Sequence, residues 1–261
     1  MILTLLGYLA AFSIGIILSL FGSGGSLLAL PALVYLFAIP AHDANTYSLI
    51  IVAITASTSL FFYLKKKEVD IRTAMLFVTT SIPMVWLTKV YILPKFPSQI
   101  TVFETAFTKD SYIMVLFGLS LFLATLLLFT RKLGSSFSNN ENLILMIAGI
   151  IVGMFTGVLG SGGGFFIVPA LLLSTRLSMN TITGTSLLLV VTNTLFGFLL
   201  SLKVTPIDFN WSIVGLFLFF SLTGTQIGKL LNAKLSEKKK RRIFAAITLS
   251  IGTLILIKEI F

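Results

Sequence analysis

The sequence predicts an all-α polytopic membrane protein built from two inverted-topology repeats, and three observations lead to this fold class. First, 56% of the 261 residues are hydrophobic and only 11% are charged, which gives a mean hydropathy of +1.04. Second, several apolar runs reach the roughly 20 residues that cross a bilayer, and inside lipid such runs must be helical because every backbone polar group needs an internal partner. Third, a glycine-rich stretch occurs twice, at a fixed offset.

About ten hydrophobic segments follow one another along the chain, about eight of them full spans and two of them short or re-entrant helices. In order they cover Ile2–Phe21, Leu27–Ile39, Ala44–Leu64, Thr73–Leu93, Tyr112–Thr130, Leu143–Leu159, Phe165–Thr175, Thr181–Leu202, Trp211–Leu231 and Arg242–Ile260. The short ones are the second and the seventh. We therefore predict an N-terminal transmembrane repeat over 1–130, a cytoplasmic linker over 131–142 and a C-terminal inverted repeat over 143–261.

The internal repeat depends on coinciding Gly, Ser and Pro residues. The stretch GSGGSLLALPAL (Gly22–Leu33) matches GSGGGFFIVPAL (Gly160–Leu171) 138 residues later, with seven of twelve positions identical. The same offset aligns Gly15 with Gly153 without a gap. Apolar helices often resemble one another through composition alone, but small and helix-breaking residues at one offset indicate a duplicated unit.

The basic residues orient the chain in the membrane. If each short segment either crosses or dips in as a hairpin, 14 Lys and Arg fall on one side and 5 on the other. The charge-rich side should be cytoplasmic, so we expect an inner-membrane protein with both termini outside. The net charge of +10 then reflects loops and does not predict a nucleic-acid partner. Each half has an odd number of segments, and inverted halves with interrupted helices are typical of secondary transporters.

The two glycine stretches are the predicted anion site. A helix interruption leaves backbone N–H groups without partners, and the next helix directs its positive dipole end at the gap. Such a place suits an oxyanion such as a sulfonate, sulfite or carboxylate. The predicted residues are Gly22, Ser23, Gly24, Gly25, Ser26, Gly160, Ser161, Gly162, Gly163 and Gly164. The alternative is close helix packing through small residues.

Polar side chains on the third and eighth segments form the second part of the predicted site. Ser48 and Thr55 are seven residues apart, as are Ser186 and Asn193, so each pair shares one helix face. We expect the four side chains to line the cavity opposite the breaks, with Asn193 the most polar of them. The alternative is that the hydroxyls bond to their own helix backbone.

Ionisable residues within the segments are few. His42 is a candidate proton relay, because histidine titrates near neutral pH, and an interfacial loop residue is the alternative. Arg176 is a candidate for attracting anions at a cytoplasmic mouth, and an ordinary positive-inside residue is the alternative. We find no Asp/Glu/His cluster typical of a metal site, no catalytic carboxylate pair and no Cys. We therefore expect no enzyme activity, no metal and no cofactor.

The paired motifs resemble those of the TauE/SafE family of sulfite and organosulfonate exporters. The matching pieces are GSGGSLLALPAL with AHDANTYSLIIV, and GSGGGFFIVPAL with TITGTSLLLVVTN. The closing GTQIGKLLNAKLSEKKKRRIFAAITLSIGTLIL is also similar to the C-terminal end of that family. The resemblance implies a bacterial or archaeal inner-membrane carrier of small sulfur-containing anions.

Together these features predict a secondary transporter that moves sulfite or an organosulfonate by alternating access. An anion channel with the same site, a carrier of a non-sulfur carboxylate, and a membrane enzyme or scaffold are the alternatives. The expected partners are a small anionic substrate and the lipid bilayer, without nucleic acid. A homodimer is a further possible assembly, and the sequence does not determine the oligomeric state.

Overall fold

The computed structural model describes residues 2–95, 97, 99–102, 105–129, 141–159, 164–204, 209–232 and 234–260. Within this part of the chain the predicted hydrophobic segments coincide with ten α-helices. They are α1 (Ile2–Phe21), α2 (Ser26–Phe37), α3 (Ala41–Lys65), α4 (Ile71–Leu87), α5 (Lys109–Phe129), α6 (Glu141–Leu159), α7 (Gly164–Ser174), α8 (Met179–Val204), α9 (Trp211–Asn232) and α10 (Glu237–Ile260). The prediction of a polytopic helical membrane protein is confirmed.

The chain departs from a purely helical fold between α4 and α5. A π-helical turn (Thr88–Ile92) and a 3₁₀ turn (Leu93–Lys95) extend α4. The antiparallel strands β1 (Gln99–Val102) and β2 (Thr105–Thr108) then form a hairpin. This short hairpin lies outside the predicted hydrophobic segments, and it forms because the sequences QITV and TAFT contain β-branched and aromatic residues that favour strands.

Six helical stretches in the described part of the chain are long and apolar enough to cross a membrane: Ala41–Lys65, Ile71–Lys95, Lys109–Leu126, Glu141–Leu159, Met179–Val204 and Trp211–Asn232. The prediction of about eight full spans would add α1 and α10, and it stays a prediction. The helices α2 and α7 have 12 and 11 residues. At 1.5 Å per residue they are about 18 and 16 Å long, roughly half of the hydrocarbon layer.

The long helices pack in pairs that join the two halves of the chain. α1 packs along α9, and α4 packs along α6. α3 packs along α8, and α5 along α10. If α1–α5 correspond in order to α6–α10, then the pair α1 and α9 corresponds to the pair α6 and α4. In the other two pairs, α3 with α8 and α5 with α10, each helix packs against its own counterpart. Each half therefore buries its apolar surface mainly against the other half.

Glycines allow the first two helix pairs to approach closely. A Cβ built on Gly15 would overlap the Ser221 carbonyl of α9, and one built on Gly153 would overlap the Ser81 carbonyl of α4. Gly228 of α9 lies against α1 in the same way, with 2.7 Å from its built Cβ to the Ile16 carbonyl oxygen. Small residues at such contacts are typical of helix association in membranes, where van der Waals packing replaces the hydrophobic effect.

Candidate functional site

The first glycine break lies where the sequence predicts it. α1 ends at Phe21, and Gly22 has a φ of +75°, which an L side chain rarely adopts. The Gly22 N–H donates to the Leu18 carbonyl at 2.9 Å, and a 3₁₀ turn over Ser23–Gly25 leads into α2. The Ser26 hydroxyl donates back to the Ser23 carbonyl at 2.8 Å. The helix is thus interrupted for four residues and then restarts.

The second break is bounded by the end of α6 at Leu159 and the start of α7 at Gly164. The predicted site residues Gly160, Ser161, Gly162 and Gly163 lie outside the described residues. Gly164 is described, and it is buried.

The start of α7 lies against the first break. A Cβ built on Gly164 would be 2.6 Å from the Ser23 carbonyl oxygen and 2.8 Å from the Ser26 Oγ. Ser23 is fully buried, and its hydroxyl has no hydrogen-bond partner among the residues that the structure describes. The structure therefore brings together both ends of the predicted site, the turn of the first half and the first residue of α7.

α8 closes the first break from another side. A Cβ on Gly22 would overlap the Ser186 Oγ and lie 2.6 Å from the Thr183 carbonyl oxygen. The Ser186 hydroxyl donates to that same Thr183 carbonyl at 2.8 Å. Ser48 makes the corresponding bond in α3, donating to the Asn45 carbonyl at 2.8 Å. The alternative of hydroxyls that bond to their own helix therefore holds for both serines, although Ser186 also contacts the break.

Thr55 and Asn193 couple helices behind the breaks. The Thr55 Oγ1 is 2.9 Å from the Ser221 Oγ of α9, and it also donates to the Ile51 carbonyl at 2.7 Å. The Ser81 hydroxyl of α4 donates to the Asn193 Oδ1 at 2.9 Å. Both predicted residues are fully buried, and the Asn193 Nδ2 has no partner among the described residues. Their described side-chain bonds run to α9 and α4 and not to the glycine turn.

The two candidate ionisable residues, Arg176 and His42, lie at opposite ends of the helices. Arg176 lines a cavity of about 550 Å³ at the ends of α4, α6 and α7, together with Arg72, Asp70 and Glu141. His42 lies in the first turn of α3, where its Nε2 is 3.0 Å from the Asp43 Oδ1. The His42 side chain is 48% exposed, so this contact faces the surface.

Sequence reasoning missed Lys89, a buried cation on the π-helical turn that continues α4. Only 4% of its surface is exposed, and its Nζ donates to the Ser201 Oγ at 2.6 Å and to the Asn45 Oδ1 at 3.1 Å. The signal was present, because Lys89 falls inside the predicted fourth segment, Thr73–Leu93. The charge count that orients the chain places Lys89 with the loop residues, whereas an ionisable residue within a span is a functional candidate by default.

Lys89 forms part of the wall of a second cavity, of about 140 Å³. His42, Asn45, Lys109 and Ser201 also line it, so basic groups from three helices face one small space. In the described ranges, no three His, Asp or Glu residues lie close enough together to hold a metal ion.

Comparison with known proteins agrees with a transport function. The model of the family "Sulfite exporter TauE/SafE" matches residues 7–255. A probable membrane transporter protein of Xylella fastidiosa (strain Temecula1) is 29% identical over 249 residues, covering 92% of this chain and 89% of the relative. The probable membrane transporter protein YunE of Bacillus subtilis (strain 168) is 24% identical, covering 100% of this chain and 98% of the relative. No solved structure matches the chain significantly.

Proposed function

Since the chain belongs to the sulfite exporter TauE/SafE family, we propose that it is a secondary transporter of a small sulfur-containing anion, sulfite or an organosulfonate. One observation carries the proposal. The first residue of α7, Gly164, lies against Ser23 and Ser26 of the first glycine turn, in the interior of a multi-pass membrane protein. The start of α7, in the second half, thus lies beside the turn that leads into α2 in the first half.

The chemistry of this place favours an anion. Helix N-termini present backbone N–H groups and the positive end of the helix dipole, and α2 and α7 both begin here. The buried Ser23 hydroxyl, which lacks a partner among the described residues, supplies a further donor. Gly22 and Gly164 carry no Cβ, which lets Ser186 and Ser23 pack directly against the backbone where the helices begin. The proposed binding set also includes Gly24, Gly25, Ser186 and the undescribed Gly160–Gly163.

Alternating access is supported by the way the helices pair. The exchange of α1 with α9 for α6 with α4 is the pattern expected of two repeats related by a two-fold axis, and in transporters with inverted repeats that axis lies in the membrane plane. The cavity at Arg176 lies beside the basic loops, and the cavity at Lys89 lies at the other end of α4. We propose that these are the cytoplasmic and outer approaches to the breaks, with both termini outside and the protein in the inner membrane.

Flux measurements in proteoliposomes test the proposal. We expect saturable sulfite uptake by the wild-type protein and its loss in Gly164→Leu, because the new side chain would overlap Ser23 and Ser26 and displace α7 from the first glycine turn. Gly215→Leu is the matched control, since a Cβ on Gly215 meets nothing within 4 Å. A folded Gly164→Leu protein with wild-type flux would refute the site.

The same assay separates the alternatives. Flux that does not saturate and shows no counter-transport would indicate an anion channel. Counter-transport of a carboxylate such as acetate, without counter-transport of sulfite, taurine or sulfoacetate, would indicate a non-sulfur substrate.

A further inference from the structure

We propose that the cavity at Lys89 is a second anion site, which holds one small oxyanion at the outer approach and is separate from the glycine breaks. The inference rests on the proposed transport of an anion, because it assigns an entry or release position to that same substrate. We define the outer vestibule as the cavity of about 140 Å³ lined by His42, Asn45, Lys89, Lys109 and Ser201.

Lys89 has no counter-charge among the residues that the structure describes. Its ammonium group is buried, and its two bonds go to the neutral oxygens of Asn45 and Ser201. No carboxylate lies within ion-pair distance of it among the described residues. A buried charge is costly unless an opposite charge or several hydrogen bonds compensate it. An anion in the vestibule would supply the missing charge.

The walls of the vestibule add positive charge. Lys109 reaches the vestibule from the start of α5. His42 also lines it, but its ring is paired with Asp43 and its backbone N–H donates to the Asp110 carboxylate at 3.2 Å. The uncompensated charge of the described lining therefore comes from the two lysines. The volume corresponds to about four or five water molecules at roughly 30 Å³ each, which suits a small oxyanion with part of its hydration shell.

The other half of the chain has a related contact at Tyr63. Tyr63 precedes Ser201 by 138 residues, the offset of the sequence repeat. There the Asn232 Nδ2 donates to the Tyr63 hydroxyl at 2.6 Å, just as the Lys89 Nζ donates to the Ser201 hydroxyl at 2.6 Å. A contact between the corresponding two helices is thus made in the other half by a neutral amide and a fully buried phenol, with Asn232 five positions beyond the counterpart of Lys89 at this offset. Packing of this pair of helices therefore does not need a charge, whereas the pair at the vestibule contains the buried Lys89 beside a cavity of about 140 Å³.

The backbone at Lys89 is irregular. Lys89 lies on a π-helical turn, and such turns are rare and often found at functional sites. The neighbouring Thr88 hydroxyl is buried without a partner among the described residues. This irregular turn places an ammonium group in the interior, where a regular helix and an apolar residue would be more stable.

Thermal unfolding of the purified full-length protein tests the site directly. We expect sodium sulfite to raise the unfolding temperature relative to sodium chloride at equal ionic strength. In Lys89→Gln, the sulfite concentration giving half of the effect should rise about tenfold or more, because a charge-assisted contact is lost. Lys95→Gln is the matched control, since Lys95 follows on the same extension of α4 and is exposed.

The outcomes separate this site from the transport proposal. An equal sulfite effect in Lys89→Gln and in the wild type would overturn the vestibule site, whatever the flux. If Gly164→Leu abolishes flux but keeps the Lys89-dependent effect, two separate sites are supported. Lys89-dependent stabilisation in a wild-type protein without flux of sulfite, taurine or sulfoacetate would support the vestibule and refute the transport proposal.

A second measurement covers the case in which Lys89→Gln does not fold. The chain has no Cys, so Val204→Cys places a single thiol at the vestibule, where Val204 is 38% exposed. We expect a sulfonate-bearing methanethiosulfonate to react faster than its trimethylammonium analogue. The ratio of the two rates should fall severalfold in Lys109→Gln, which leaves the bonds of Lys89 intact. An unchanged ratio would overturn the proposal.

Discussion

Gly22 lies directly against Ser186, so the end of α1 is held by a helix of the other half of the chain. A Cβ at position 22 would overlap the Ser186 Oγ, and it would lie 2.6 Å from the Thr183 carbonyl oxygen. The φ of +75° at Gly22 ends α1 and turns the chain toward α2. One residue therefore fixes both the local break and its position against α8.

Replacement of Gly22 by alanine should destabilise the protein by roughly 2–5 kcal/mol. The left-handed backbone costs an alanine about 1–2 kcal/mol. Overpacking against Ser186 and the Thr183 carbonyl adds about 1–3 kcal/mol. We expect a lower unfolding temperature in detergent and loss of anion flux in proteoliposomes.

Gly215→Ala is the control for Gly22→Ala, because Gly215 is exposed on α9 and a Cβ there meets nothing within 4 Å. We expect its stability and flux to equal those of the wild type. Equal stability of Gly22→Ala and Gly215→Ala would contradict the contact with Ser186.

Removal of the Ser81 hydroxyl should destabilise the packing of α4 against α8. Ser81 donates to Asn193 in the interior, and Ser81→Ala would leave a fully buried amide oxygen without that donor. We expect a cost of about 0.5–2 kcal/mol, since hydrogen bonds between membrane helices average less than 1 kcal/mol and buried unpaired groups cost about 1–3. Unfolding by denaturing detergent, added to the folded protein in a mild detergent, measures the change.

Ser57→Ala makes the same chemical change on α3, where the hydroxyl donates only to the Ala53 carbonyl of its own helix at 2.7 Å. Its stability should stay within about 0.5 kcal/mol of the wild type. A larger loss in Ser57→Ala than in Ser81→Ala would show that the bond to Asn193 does not couple the helices.

Local sequence signals predicted the helices and the first break well. The apolar runs, Gly22 and the charged loops act within a few residues, so helix bounds such as Ile2–Phe21 agree with the structure. The sequence predicts that the two glycine stretches share one site, but it does not predict the close approach of Gly164 to Ser23, because that contact comes from tertiary packing. The breaks could be found in the sequence, but their neighbours could not.

The hydrogen-bond partners of the polar residues could not be predicted, because they depend on helix rotation and register. Spacing predicts that Thr55 shares a helix face with Ser48, and Asn193 with Ser186, yet it could not show that Thr55 bonds to α9 and Asn193 to α4. Lys89 was missed for a related reason. From sequence alone, a cation near the end of a segment is interpreted as a loop charge. Only the structure shows that Asn45 and Ser201 bind the Lys89 ammonium group.

Arg176 should help to attract anions on the basic side. It lines the cavity of about 550 Å³ with Arg72. We expect Arg176→Gln to raise the KM for sulfite from that side by about two- to fivefold at low ionic strength, because an exposed charge contributes at most about 1 kcal/mol. The difference should nearly vanish at about 1 M salt, where the Debye length is about 3 Å.

Lys238→Gln provides the control for Arg176→Gln, since Lys238 is an exposed basic residue at the start of α10, outside that cavity. Its KM should match the wild-type value. A KM for Arg176→Gln that is raised equally at low and high salt would point to a structural role and not to electrostatic attraction.

The two ends of α4 should lie on opposite sides of the membrane, with its start inside the cell. Lys67 precedes α4, Lys95 ends its extension, and both are exposed in a chain without Cys. Because the loop around Lys67 belongs to the side with 14 of the 19 basic residues, we expect it to be cytoplasmic. A membrane-impermeant maleimide should therefore label Lys95→Cys in intact cells and Lys67→Cys only after permeabilisation. Labelling of Lys67→Cys alone in intact cells would reverse the orientation and make the Lys89 vestibule the cytoplasmic approach.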